Sequence, residues 1–155
     1  MEITIKTANA MQKFGAAIAK VCEPGCAIYL HGELGAGKTT LVRGFLHELG
    51  HQGHVRSPTF TLLEPYQLDA CLVYHFDLYR LINAEEFAYI GGRDYFTEQS
   101  ICLIEWPERG KGFLPVADLI CSFDFAAKGK WRRVQLASGS DKGKNIIGKL
   151  NNDNV

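Results

Sequence analysis

Residues 32–39, Gly-Glu-Leu-Gly-Ala-Gly-Lys-Thr, fit the pattern G-x-x-x-x-G-K-[ST] in full. The flanks narrow its meaning. Residues 26–30, CAIYL, are a compact apolar run of strand type. After the loop, Leu41, Val42, Phe45, Leu46 and Leu49 recur at helical spacing, and Gly50 is placed to end that helix. A strand, a glycine-rich turn and an amphipathic helix in this order form a phosphate cradle. The glycines let the backbone curl and aim its N–H groups inward. A helix opening near Lys38 turns its positive end toward the same anion. Such a unit dictates an α/β fold, because the strand must lie in a sheet and the helix must cover it. Lys38 is the side chain that reaches the β- and γ-phosphates, and Thr39 offers a hydroxyl to Mg²⁺. Glu33, Leu34, Gly35, Ala36, Gly37 and Thr40 complete the expected nucleotide-binding set with Lys38 and Thr39.

The remaining chain supplies the partners of that unit. Residues 2–6 alternate like a strand, and Thr7 or Asn9 can cap a helix whose face is Met11, Phe14, Ile18 and Val21. Residues 51–58 read as a loop, residues 59–68 as an edge strand carrying Pro65, and residues 71–76 as its hairpin neighbour. A short helix is expected over 83–90, with Asn83 and Glu86 at capping-box spacing. Residues 101–104, ICLI, suit the middle of a sheet covered on both faces. Residues 118–125 and 131–138 flank a turn as a strand pair. The expected architecture is one P-loop NTPase-like α/β domain over 1–137, with a mixed, mostly central sheet flanked by helices. A basic tail over 138–155 is left without an assigned structure.

Charge and cysteine usage exclude several classes. The 155 residues carry 17 Lys plus Arg against 17 Asp plus Glu. A general nucleic-acid coat would show a basic excess instead. Neutrality conceals an asymmetry: 10 basic and 15 acidic side chains lie in 1–125, and 7 basic and 2 acidic in 126–155. The basic end reads either as a solvated hairpin and tail or as a contact for an acidic partner or RNA. Five cysteines at 22, 26, 71, 102 and 121 form no C-x-x-C pair, which is usage of a reducing compartment. No stretch approaches the roughly 18 apolar residues of a membrane span. A cytoplasmic protein without membrane contact is therefore expected.

A cradle alone hydrolyses nothing; it needs an acid on the metal side and groups that sense the γ-phosphate and hold water. Glu105 ends the apolar run ICLI, where a metal-side carboxylate belongs, while Glu108 reads as a surface or partner-facing acid. Trp106 either packs near the nucleotide or caps the core. Thr59, in Ser57-Pro58-Thr59-Phe60, is either a turn residue or a ligand to Mg²⁺ or the γ-phosphate. His75, Asp77 and Tyr79 would face one way on a strand, with Asp77 at its end able to hold the attacking water. His75 reads as a structural histidine, and Arg80 as a partner for phosphate, protein or Asp77. No N-K-x-D or T-K-x-D segment is present, which favours adenine over guanine.

With these residues in place, the chain resembles the bacterial tRNA threonylcarbamoyladenosine biosynthesis ATPases, the TsaE or YjeE family, over about residues 7–136. HGELGAGKTT, SPTF, HFDLYRL and LIEWPERG carry the resemblance, in that order. It implies a slow, Mg²⁺-dependent ATPase that assists the proteins installing threonylcarbamoyl on adenosine 37 of tRNA. Its implied partners are the catalytic threonylcarbamoyl-transferase subunit and a related scaffolding subunit, which it would bind and reset between cycles. Direct tRNA contact is left open. By the same resemblance, Lys38, Thr59 and Asp77 act in catalysis, Thr39 and Glu105 on the metal, and Trp106 beside the nucleotide. The competing readings are a small-molecule kinase and a nucleotide-dependent binding module with negligible turnover.

Overall fold

A strand feeding a phosphate loop needs neighbours on both sides, and the chain supplies six. In the computed structural model, which describes residues 1–152, the elements are β1 (Glu2–Ile5), α1 (Ala8–Val21), β2 (Cys26–Gly32), α2 (Lys38–Glu48), β3 (Leu63–Gln67), β4 (Leu72–Asp77), α3 (Glu85–Tyr89), β5 (Ser100–Glu105), β6 (Leu119–Ala126), β7 (Trp131–Ser138) and α4 (Asp141–Asn152). The seven strands form one sheet in the order β1-β7-β6-β2-β5-β4-β3. Strands β4, β5, β2 and β6 run parallel, and β3, β7 and β1 add antiparallel pairs at the two edges. The expected mixed sheet flanked by helices is thus the observed fold, with β2 at its centre.

Burial follows the two-residue period of the strands. Ile28 and Leu30 of β2, Val73 of β4, and Ile101 and Leu103 of β5 pack with Met11, Phe14 and Ile18 of α1 and Leu41 and Phe45 of α2. The alternate residues Phe76, Cys102 and Ile104 form a second cluster with Phe87 of α3, against which Phe96 and Trp106 pack. Helices α1 and α2 meet closely because each carries a glycine at the crossing. A Cβ on Gly15 would stand 2.1 Å from the Leu41 carbonyl oxygen, and one on Gly44 2.0 Å from that of Gln12. This contact sets how closely α2 lies against α1.

Several local expectations meet the structure closely. The Thr7 hydroxyl accepts from Ala10 N at 3.0 Å and caps α1. Gly50 takes a left-handed φ of 98° after α2. The Asn83 amide N–H donates to Glu86 at 2.9 Å and the Asn83 side chain accepts from Glu85 N, so the pair bonds as a capping box would, although α3 spans only 85–89 and Ala84 stands at its N-cap. Two expectations are corrected, and one segment left open takes a defined structure. The edge strand begins at Leu63, not 59, because a turn from Pro58 ends with Leu62 in the left-handed region at φ 65°. Tyr79 lies off the strand with His75 and Asp77, because β4 ends at Asp77. Residues after 138 fold as α4, whose Ile146 and Leu150 are buried in the α1–α2 core; residues 153–155 of the expected tail lie outside the described residues. Among the described residues, no helix is long and apolar enough to cross a membrane.

Candidate functional site

The loop joining β2 to α2 crosses the carboxyl ends of the parallel strands, where ligands bind in sheets of this kind. Gly37 immediately precedes α2 at φ 107°, a conformation that a side chain would strain. Lys38 follows as the first helical residue and is 4% exposed. Its ammonium donates to the carbonyls of Gly32 and, at 2.9 Å, of Glu33, and lies 4.4 Å from the centre of the Trp106 ring. Burial pulls the Lys38 pKa down, opposed by the charges of Glu105, Asp77, Glu108 and Glu33.

Strand register brings the acids to this loop. Asp77 is paired with Glu105 and His75 with Leu103 across the parallel β4–β5 ladder. Because side chains alternate, His75, Asp77 and Glu105 share the face of Val73, Ile101 and Leu103, which is the face under α2. Thr39 Oγ1 donates to Glu105 Oε1 at 2.9 Å, and His75 Nε2 reaches the same oxygen at 2.9 Å. Both His75 and Glu105 are buried, at 0% and 3% exposed. Asp77 holds the loop that follows α2: its Oδ2 accepts from the hydroxyls of Ser57 and, at 3.0 Å, of Thr59, and its Oδ1 accepts from Tyr79 N at 3.0 Å.

Trp106 leaves β5 in the left-handed region at φ 57°, a costly conformation for a bulky residue and one found most often at functional sites. It turns the indole toward Lys38 and packs it on Tyr79, ring centres 4.9 Å apart. Of the two acids after ICLI, Glu105 faces the loop, whereas Glu108 pairs with His31 at 3.0 Å, both partly exposed. Arg80 stacks on the exposed Phe60 ring at 4.1 Å.

Between the loop and these side chains lies a cleft of about 210 Å³. Leu34, Gly35, Ala36, Gly37, Lys38, Thr39, Thr40, Thr59, Asp77, Glu105 and Trp106 all line it, together with Ser57. Of the residues given a catalytic, nucleotide-binding or metal role from the sequence, Glu33 is the exception: it is outside the lining, although its carbonyl accepts from Lys38. A second depression shares Gly35, Ala36, Gly37 and Thr40 with the cleft and adds Lys6, Lys130 and Arg132. There Arg132 donates to the Gly35 carbonyl at 3.0 Å.

Two contributions escaped the sequence reading. By sequence His75 reads as a structural histidine, and its H-x-D spacing with Asp77 puts it on the right face. Its bond to Glu105, however, depends on β4 lying next to β5. Ser57 carries no signal of its own within Ser57-Pro58-Thr59-Phe60, and its bond to Asp77 depends on the loop folding back onto β4. The basic end also proves largely occupied. Lys142 donates to the Gly25 carbonyl at 2.5 Å, Lys149 sits 3.5 Å from Glu23, and Lys144 pairs with Asp141 at 2.8 Å.

Comparison with known proteins agrees with this geometry. Residues 5–134 match the family described as Threonylcarbamoyl adenosine biosynthesis protein TsaE. The chain is 47% identical over 147 residues to the tRNA threonylcarbamoyladenosine biosynthesis protein TsaE of Haemophilus influenzae, covering 92% of each. It is 36% identical to the protein of that name from Treponema pallidum, over 88% of this chain and 100% of the relative. A crystal structure of Bacillus subtilis YdiB superposes with a TM-score of 0.86 at 25% identity, covering 100% of this chain and 96% of that one. The chain therefore belongs to the TsaE family of P-loop ATPases, which take part in threonylcarbamoyladenosine modification of tRNA.

Proposed function

We propose that this chain binds ATP with Mg²⁺ in the cleft and hydrolyses it slowly, in support of the proteins that install threonylcarbamoyl on adenosine 37 of tRNA. One observation carries this: a lysine, two carboxylates and four hydroxyls converge on the amino end of α2, from α2 itself, the loop after it, β4 and β5. The donor set suits the ligand. Thr39 and Glu105 offer hard oxygens, the type that Mg²⁺ takes. The inward N–H groups of the loop and the Lys38 ammonium suit phosphate oxygens. A second depression lies on the same loop and shares Gly35, Ala36, Gly37 and Thr40 with the cleft.

ATP, when bound, supplies the phosphoryl group that passes to water. The chain's own residues have distinct tasks in that step. Lys38 holds positive charge near the β- and γ-phosphates. Thr39 and Glu105 hold the metal side, directly or through water. Asp77 orders Ser57 and Thr59 and would be the carboxylate available to orient the attacking water, and Trp106 packs over Lys38. Slow turnover follows from the present hydrogen bonds. Lys38 is bonded to carbonyls, Ser57 and Thr59 to Asp77, and Thr39 to Glu105, so each must exchange its partner before it serves the reaction. Partner proteins that favour the exchanged arrangement would speed hydrolysis. The catalytic threonylcarbamoyl-transferase subunit and its related scaffolding subunit are the proposed partners, and a tRNA-modifying role implies the cytoplasm.

Phosphate release measured on the isolated chain, then with both partners and tRNA, tests the proposal. We expect slow release alone, faster release with partners, and loss of nucleotide binding in Lys38→Ala. Clean phosphoryl transfer to a small acceptor would make the protein a kinase. Lys38-dependent binding with no release in any mixture would make it a binding module.

A further inference from the structure

We infer that His75 is a positioning residue that sets the orientation of the Glu105 carboxylate toward the metal side of the cleft; this rests on the proposed role of Glu105. The two residues come from adjacent parallel strands and face the same way. His75 is fully buried, and its Nε2 lies 2.9 Å from Glu105 Oε1. A carboxylate oxygen only accepts, so Nε2 carries the hydrogen. Nδ1 is then left as a buried ring nitrogen with no hydrogen-bond partner. A purely structural histidine would be expected to use both nitrogens, because leaving a buried polar atom unpaired is costly. Here the ring is held for one bond, and that bond ends on Glu105.

The geometry gives this bond a consequence. Oε1 accepts from both His75 Nε2 and Thr39 Oγ1, one from the neighbouring strand β4 and one from α2. Two donors on one oxygen fix the carboxylate plane and leave the other oxygen as the one able to face a metal or its water. When Thr39 turns its hydroxyl away toward a cation, His75 remains as the donor that keeps Glu105 from rotating. Partners of this kind orient metal ligands elsewhere, and their loss commonly weakens metal affinity or activity about 10–100-fold.

The test exploits side-chain length. A glutamine amide nitrogen is as many bonds from Cα as imidazole Nε2, whereas an asparagine amide nitrogen reaches only as far as Nδ1. Binding of a fluorescent ATP analogue is titrated in EDTA and then at rising Mg²⁺ in wild type, His75→Leu, His75→Gln, His75→Asn and Glu105→Gln, with thermal unfolding recorded for each. We expect binding in EDTA to stay within about twofold of wild type, and the Mg²⁺ midpoint to rise about tenfold in His75→Leu and His75→Asn. His75→Gln should recover most of that loss. If His75→Leu does not fold, the contrast between Gln and Asn decides. Equal Mg²⁺ midpoints for Gln and Asn, or a wild-type midpoint in folded His75→Leu, would overturn the inference. A wild-type midpoint in Glu105→Gln would instead overturn the metal-side role of Glu105, on which the inference depends.

Discussion

Replacing Gly44 by alanine should destabilise the protein and loosen its nucleotide site together. The added Cβ would stand 2.0 Å from the Gln12 carbonyl oxygen and 2.5 Å from its Cα. An ordinary carbon contact is roughly 3.5 Å or more, so the helices must part by more than 1 Å. The obstacle is backbone, which cannot swing aside as a flexible side chain would. Overpacking of a core costs about 1–3 kcal/mol, and backbone against backbone belongs at the upper end. Better helix propensity returns up to about 1 kcal/mol. A net loss of about 2 kcal/mol then lowers the melting temperature by about 4–8 °C in a domain of this size. Gly148 is the matched control. It lies exposed in α4 with nothing within 4 Å of its Cβ position, so Gly148→Ala should raise stability by about 0.5–1 kcal/mol. Because Gly44 seats α2 against α1, and α2 carries Lys38 and Thr39, Gly44→Ala should also weaken ATP binding well below its melting temperature, while Gly148→Ala leaves binding alone. Calorimetry and nucleotide titration read both effects. A Gly44→Ala protein that melts within 1 °C of wild type would refute the packing argument.

Other outcomes follow from the same structure. Asp77→Asn should cut turnover far more than nucleotide binding, by an amount corresponding to about 2–4 kcal/mol in barrier if its charge acts in the transition state; equal losses in kcat and binding would reduce Asp77 to a clamp for Ser57 and Thr59. Alkaline solution should destabilise the fold, because burial pushes Cys102 up to about 12 from 9.0 and Tyr29 up to about 12 from 10.0. The unfolded chain then loses protons that the folded one retains, so stability is full below pH 9 and falls between about pH 9 and 12. Thermal melts across that range check the sign, and Cys102→Ala should flatten the decline. A thiol reagent should label Cys71 first, since the other four cysteines are buried; labelling of all five at one rate would contradict the packing.

Legibility in the sequence tracked the range of the interaction. The cradle was legible because its loop, its strand and its helix are contiguous, and the conformations required of Gly37 and Lys38 are local. Caps at Thr7 and Asn83 were legible for the same reason. The limit of the edge strand was not, because Leu62 adopts a left-handed turn that its residue type disfavours and that only the surrounding chain can enforce. Helix α4 was not legible either. Its two buried anchors, Ile146 and Leu150, gain their meaning from α1, more than a hundred residues earlier in the chain.

By itself, the sequence determined that a phosphate-binding turn would sit on a buried strand, and it nominated Thr59, Asp77 and Glu105 as companions of Lys38 and Thr39. Local spacing could name these residues but not join them. The tertiary structure decided that β4 lies beside β5 in a register that sets Asp77 against Glu105 and aims His75 at the Glu105 carboxylate. It also decided that the loop after α2 returns so that Ser57 and Thr59 close on Asp77. Those contacts depend on strand order, which is settled by burying both faces of the sheet at once, a property of the whole chain rather than of any segment.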